Sequence, residues 1–447
     1  MIRRLFVIMA VLFAENVAGD PYQPASVSDG SREAFSHPVS GLSDVQREQF
    51  FRGRSLFQHS WIVAPSADKE FVGLGPLYNR LACSSCHQKG GRGHAPNEPQ
   101  EKMQSILVRL SVPGAGPHGA PKPHPAYGNQ LNEEGVPGVP AEGRAAINWQ
   151  ETSTMLADGT VVALRWPRLE FTELAYGSLS DALTSLRVAP TVIGLGLLET
   201  VPVVYLEKNA RERKPDGVTG RVNRVWDEQK HATVMGRFGL KANAPNVRQQ
   251  IAGAFVGDLG ITSRMFPDEN CTAAETACRN APSGGNPELT EKQLDDIEFY
   301  VAHLAPPARR DTENEHVKKG EAMFMVAGCA VCHQPSLPTG RHFKYPLLSN
   351  RAIVPYTDLL IHDMGENLAD HRPDFRAGGR DWRTPPLWGI GLVESVNETA
   401  NFLHDGRARN FEEAILWHGG EGQAARDRYA KLEKIQREDL IRFLQSL

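Results

Sequence analysis

Beyond its first fourteen residues the chain has no apolar run long enough to cross a bilayer, so the mature protein is expected to be soluble. It has no excess of positive charge. With 49 basic against 53 acidic side chains the formal net charge is -4, and nothing points to nucleic acid or an anionic membrane surface as a partner. Cysteine is scarce, six in 447 residues, and the six divide into two uses.

A chain of 447 residues is long for one domain and predicts two or three. The 41 glycines and 31 prolines imply much loop between regular elements. The N-terminus reads as an export address. Arg3 and Arg4 precede a ten-residue apolar run, residues 5–14, and Val17-Ala18-Gly19 then offers small residues for cleavage. Residues 1–19 are therefore expected to be a signal peptide that delivers the protein to the periplasm.

Four cysteines stand in Cys83-Ser-Ser-Cys86-His87 and Cys329-Ala-Val-Cys332-His333. Cys-x-x-Cys-His is the attachment signature of haem c. Two thiols form thioethers to the vinyl groups, and the adjacent histidine is placed beneath the iron. The chain is thus expected to carry two covalently bound haem c groups, with His87 and His333 as iron ligands. Cys271 and Cys278 remain. In an exported protein a close leftover pair is expected to bridge. Two free, redox-active thiols are the sharper alternative.

The flanks of the two motifs repeat. Gly53-Arg-Ser-Leu-Phe57 precedes the first and Gly320-Glu-Ala-Met-Phe324 the second, each on a helix-like stretch, residues 42–57 and 315–326. Closing helices are readable over 289–304 and 436–447, where apolar residues recur at helical spacing. Pro190-Thr-Val-Ile-Gly194-Leu-Gly196-Leu-Leu-Glu199-Thr-Val201 aligns without a gap on Pro385-Pro-Leu-Trp-Gly389-Ile-Gly391-Leu-Val-Glu394-Ser-Val396. These repeats predict a mainly α protein of two cytochrome c-type haem domains, 20–308 and 309–447. The first is enlarged by a loop- and β-containing insertion, and the Pro-rich stretch 305–310 marks the boundary.

These residues resemble the bacterial di-haem oxidoreductases described as thiol oxidoreductases or peroxidases, relatives of the di-haem cytochrome c peroxidases. The resemblance runs from about Gly53 to Leu447. It is carried by segments such as Gly73-Leu-Gly-Pro-Leu-Tyr-Asn79, Gly257-Asp-Leu-Gly-Ile-Thr262 and Trp382-Arg-Thr-Pro-Pro-Leu-Trp388. Leu403-His-Asp-Gly-Arg407 and Trp417-His-Gly-Gly-Glu421 complete it. It implies an N-terminal haem open to peroxide and a six-coordinate C-terminal haem that relays electrons from a redox partner protein or small donor. The peroxidases' axial methionine falls at Met364 here, with His362 as competitor. Methionine would raise the potential. Peroxide cleavage needs a distal acid/base, for which Glu199 and then Gln130 are the candidates. The peroxidases' distal Gln-Phe-Trp-Asp-Gly-Arg motif is absent. His59, His94, His118 and His124 are each able to supply a ligand or stand at the surface. Arg407 is a candidate partner for a haem propionate, with a structural turn at Asp405-Gly406 as the alternative. Trp382 and Trp388 are read as packing or as electron relays. Enzymes that modify tryptophan on a partner protein share the architecture, and a non-catalytic electron carrier is the main alternative function.

Overall fold

The computed structural model describes residues 25–447, so the expected signal peptide lies outside the described residues. Four helices do the framing. Asp44–Gln58 starts in a capping box, where Ser43 and Gln46 satisfy each other's backbone N–H groups. Glu291–His303 does the same with Thr290 and Gln293. Asn314 caps Glu315–Val326, and Glu433 and Gln436 open Lys434–Ser446. All four lie within two residues of the positions their apolar spacing predicts.

The helices pack in two equivalent pairs. Asp44–Gln58 crosses Glu291–His303, and Glu315–Val326 crosses Lys434–Ser446. At each crossing a glycine lets the backbones touch. A Cβ at Gly53 would lie 2.0 Å from the Asp296 carbonyl oxygen, and one at Gly320 would lie 1.9 Å from that of Asp439. One turn on, Phe57 meets Tyr300 at 5.3 Å between ring centres and Phe324 meets Phe443 at 5.1 Å. Such pairs contribute about 0.5–1.5 kcal/mol beyond their buried area. The gapless repeat behaves alike in both copies. Gly194 and Gly389 take left-handed φ of 68° and 74°. Their N–H groups donate to the carbonyls of Leu304 and Leu447, at the ends of the two closing helices.

The mainly α expectation is overturned. About 30% of the chain is helical and 20% is strand, so the architecture is mixed. Arg144–Met155 pairs antiparallel with Val161–Thr172 along twelve residues, with Asp158-Gly159 in the turn between them. Ile106–Ala115 pairs with Leu183–Val188. The β-containing insertion expected in the first domain is present, but as strands far longer than the short β-like runs legible there, such as 160–166. The long hairpin escapes a burial-based reading because both of its faces are largely half-exposed, which blurs the two-residue alternation.

The hairpin also reaches across the chain. Leu156 and Leu164 belong to the core built by Phe324, Trp382, Trp417 and Phe443. The Ala157 N–H donates to the Ala430 carbonyl, and Arg437 pairs with Asp158 at 2.9 Å. The other large core mixes Phe50, Phe57 and Tyr300 with Leu348, Trp388 and Leu392. Neither core is confined to one half of the sequence.

The crossing glycines make a direct prediction. Gly320→Ala should cost about 1–3 kcal/mol through overpacking, read as a lower denaturation midpoint. Gly253→Ala is the control. Its Cβ would meet nothing nearer than Phe266 at 3.9 Å, and alanine inside a helix should hold or raise stability.

Candidate haem-binding centre

Each Cys-x-x-Cys-His motif forms one tight turn. In the first, the N–H groups of Cys86 and His87 both donate to the Cys83 carbonyl at 3.1 and 2.9 Å. In the second, the His333 N–H donates to the Cys329 carbonyl at 2.9 Å. The turns gather two thiols and an imidazole on one side, half-buried. Burial, with the Asp258 charge second, pushes both Cys83 and Cys86 up to about 12. Burial does the same to Cys329. These are neutral thiols and the environment does not activate them as nucleophiles.

The histidines are locked in the same way. His87 Nδ1 lies 2.8 Å from the Pro190 carbonyl oxygen, and His333 Nδ1 lies 3.0 Å from that of Tyr356. A carbonyl only accepts, so in each case Nδ1 carries the proton and Nε2 keeps its lone pair. That tautomer is the one a metal-ligating imidazole uses. Burial lowers the proton affinity of both rings, His333 to about 4, where His418 is the next contributor.

A polar cluster stands beside the first motif. Gln130 donates to Asn79 Oδ1, to the Gly257 carbonyl and to Asp258 Oδ1, at 2.6, 2.9 and 3.0 Å. Its own Oε1 is buried without a partner. Arg109 approaches Asp258 at 3.8 Å. From here a train of buried charges runs through the molecule. Arg187 and Arg372 flank Asp374 at 2.9 and 3.4 Å, and Lys241 holds Asp370 at 2.7 Å beneath the Trp382 ring. Four cations (Arg109, Arg187, Arg372, Lys241) face three carboxylates (Asp258, Asp370, Asp374). Burial lowers Lys241 to about 8 and Arg372 to about 10, a sign of incompletely balanced positive charge. Arg372 Nε and Asp370 Oδ2 have no hydrogen-bond partner. A porphyrin's propionates are the complement such a surplus fits.

Around the second motif, His362 is clamped from both sides. Its Nε2 lies 3.0 Å from Asp358 and its Nδ1 2.7 Å from Glu421. Burial opposes the charge, but Asp358, Cys332 and Glu421 outweigh it and raise the imidazolium to about 12. With both nitrogens engaged, His362 offers no lone pair. Met364 sits beside the clamp, partly buried against the C-terminal core. Arg407 is buried. It grips Asp405 at 2.7 Å and the Asn367 carbonyl, and lies 4.6 Å over the Trp417 ring. Trp382 stacks on His404 at 3.6 Å. Trp388 packs where a Cβ on Gly194 would stand.

Glu199 lies elsewhere. Its carboxylate accepts from the Val247 N–H at 3.0 Å, at the start of helix Val247–Asp258, and contacts His342 at 3.3 Å. His59 and His118 stack on Phe71 and Trp226, and His124 pairs with Asp181. Cys271 and Cys278 are bridged, so neither is a free thiol. The sequence reading assigned no role to Asp258 or His418, although both stand in segments it singled out. Asp258 closes an otherwise apolar helix turn, and His418 follows a buried tryptophan. Those were the signals available.

Asp374 tests the buried charge train. Burial works against its charge, but Arg187 and Arg372 prevail and hold its carboxyl below its ordinary 3.8. A depressed carboxylate contributes stability above 3.8 and loses it as pH falls below that value. Asp374→Asn should cost about 3–5 kcal/mol by stranding two buried guanidiniums. Its denaturation midpoint should also fall less steeply than the wild type's in acid.

A family model described as "Di-haem oxidoreductase, putative peroxidase" matches residues 25–447. No curated protein sequence matches. Among solved structures, a Kuenenia stuttgartiensis hydrazine synthase pressurised with xenon aligns over 100% of both chains, at 13% identity and a TM-score of 0.39. That score carries no weight beside the family match, which spans every described residue. The chain belongs to the di-haem oxidoreductase family.

Proposed function

We propose that the protein is a periplasmic, peroxidase-like oxidoreductase. It binds two haem c groups covalently, at Cys83/Cys86/His87 and at Cys329/Cys332/His333. Electrons pass from a redox partner protein or small donor to the second haem and on to a reactive first haem. The observation that carries the reading is the duplicated site. In both copies a Cys-x-x-Cys-His turn presents two thiols and an imidazole whose Nδ1–H is held by a backbone carbonyl. Behind both stands the same glycine-mediated helix crossing.

When bound, the haems supply one-electron redox chemistry and an iron able to take a small oxidant. The chain's own part is to hold and to tune. His87 and His333 present Nε2. The cations Arg109, Arg187, Arg372 and Lys241 would hold the propionates. Reduction of a peroxide to two waters consumes two electrons and two protons, so a proton-handling group must stand near the first iron. Asp258, bonded to Gln130 and neighboured by Arg109, is the carboxylate closest in effect to Cys83, Cys86 and His87. It is assigned the proton transfer, with Gln130 holding its position. Glu199, bonded to Val247 and His342, is assigned to anchoring the helix. The bridge at Cys271–Cys278 supports an oxidising compartment.

Haem content and turnover test the reading. Protein matured in a host that attaches haem c should carry two non-extractable haems. Cys83→Ala/Cys86→Ala and Cys329→Ala/Cys332→Ala should each lose one. Asp258→Asn should lower peroxide turnover by about 10²–10⁴-fold, and Glu199→Gln by far less. Absence of covalent haem would sink the cofactor assignment. Covalent haem that neither binds an added ligand nor turns over peroxide would sink the peroxidase assignment and leave an electron carrier.

A further inference from the structure

We propose that His418, and not Met364, is the second axial ligand of the haem held by His333. The proposal rests on the two-haem reading above and names a residue for it. His418 follows helix Phe411–Leu416 in the turn Trp417-His418-Gly419-Gly420-Glu421. Its Nδ1 lies 2.8 Å from the Ala414 carbonyl oxygen, so Nδ1 carries the proton and Nε2 keeps its lone pair. That lock matches those on His87 and His333. Among the described residues no hydrogen bond or ion pair engages its Nε2. The loop that carries His418 is tied to the second motif through Glu421, His362 and Cys332.

The surrounding loop is built to hold this ring in place. Glu421 bonds His362 at 2.7 Å, and His362 Nδ1 stands 3.8 Å from the Cys332 sulfur. This fastens the loop 418–422 beside the second attachment site. Glu421 also takes the N–H groups of Thr219 and Gly220, each at 3.0 Å. A Cβ on Gly420 would lie 2.2 Å from the Asp363 carbonyl oxygen, so only glycine lets the loop press against the strand before Met364. Arg407 covers Trp417 from the other side.

Met364 is close by. A Cβ on Gly422 would lie 3.1 Å from both the His418 ring and Met364 Cε. The two side chains therefore border the same place, beside Gly422. Methionine has no orienting bond, and its side chain is accounted for by contact with the C-terminal core. The imidazole is oriented, and its free nitrogen has no other partner. The consequence is chemical. A bis-imidazole iron lies at lower potential than one with a thioether ligand. The second haem is then a readily oxidised donor rather than a high-potential relay.

Spectroscopy of the matured protein decides between the two ligands. The oxidised wild type should show a low-spin bis-imidazole signal by electron paramagnetic resonance. It should lack a near-infrared sulfur-to-iron charge-transfer band. Met364→Leu should leave that signal and the midpoint potential of the second haem unchanged. His418→Ala should convert one haem to high spin, and added imidazole should restore it. His418→Met should bring in the sulfur band and raise the potential. A sulfur band in the wild type that Met364→Leu abolishes would overturn the proposal, as would a high-spin second haem in the wild type. Haem lost to acid–acetone extraction reports instead that the covalent two-haem reading has failed.

Discussion

A backbone carbonyl accepts a proton and never gives one, and the placement of the reactive side chains rests on that asymmetry. Wherever it meets the Nδ1 of a histidine it decides the tautomer, the ring orientation and the direction of the lone pair together. Pro190 does this for His87 and Tyr356 for His333. Each carbonyl must in turn be held still, and the packing supplies that. Gly194 and Gly389 tie their loops to the ends of the closing helices, and those helices are clamped to the opening ones at Gly53 and Gly320. A chain of short contacts thus runs from two helix crossings to two nitrogen lone pairs.

The second constraint is electrostatic. Burying Arg372 and Lys241, with Arg109 and Arg187 half-buried beside the same three carboxylates, is costly in a low-dielectric interior. A protein selected for stability alone would replace them with well-packed apolar groups. Their retention makes sense when the deficit is filled by an anionic ligand that also needs burial. The same logic separates the two halves. Around the first motif the polar groups stay open-ended: Gln130 bonds Asn79, Gly257 and Asp258, and its own Oε1 has no partner. Around the second, charge is closed on itself in the Asp358–His362–Glu421 clamp.

The helices were legible because each starts with a capping side chain and carries a single apolar stripe. The two Cys-x-x-Cys-His motifs were legible because their spacing is fixed, and each folds into one tight turn. The hairpin Arg144–Met155 with Val161–Thr172 was not, since neither face is cleanly buried. Asp258, Arg109 and Lys241 were not legible as a group either. They lie far apart in sequence, and each alone reads as a solvated charge. Glu199 was read as a distal acid/base from the family resemblance, while its repeated position favoured a structural role; its carboxylate meets a helix N-terminus and His342.

The repeat is informative where it breaks. The carbonyl that orients His87 lies at Pro190, inside the duplicated segment, and its counterpart position is Pro385. The carbonyl that orients His333 lies instead at Tyr356, well before Pro385. Between Tyr356 and Pro385 the second half adds the clamp at His362 and the strand pair Ile361–Asp363 with Asp381–Arg383. That strand pair is the surface on which the loop 418–422 is seated, through Glu421 and the close approach at Gly420. The first half has no such addition in the duplicated segment. Moving one carbonyl lock out of the repeat therefore leaves the second half room for the clamp at His362 and the loop seated on it. Among the described residues, the groups beside the first motif are instead a carboxylate, an amide and a guanidinium, Asp258, Gln130 and Arg109. The two halves keep the same carbonyl lock on the motif histidine and differ in what is built around it.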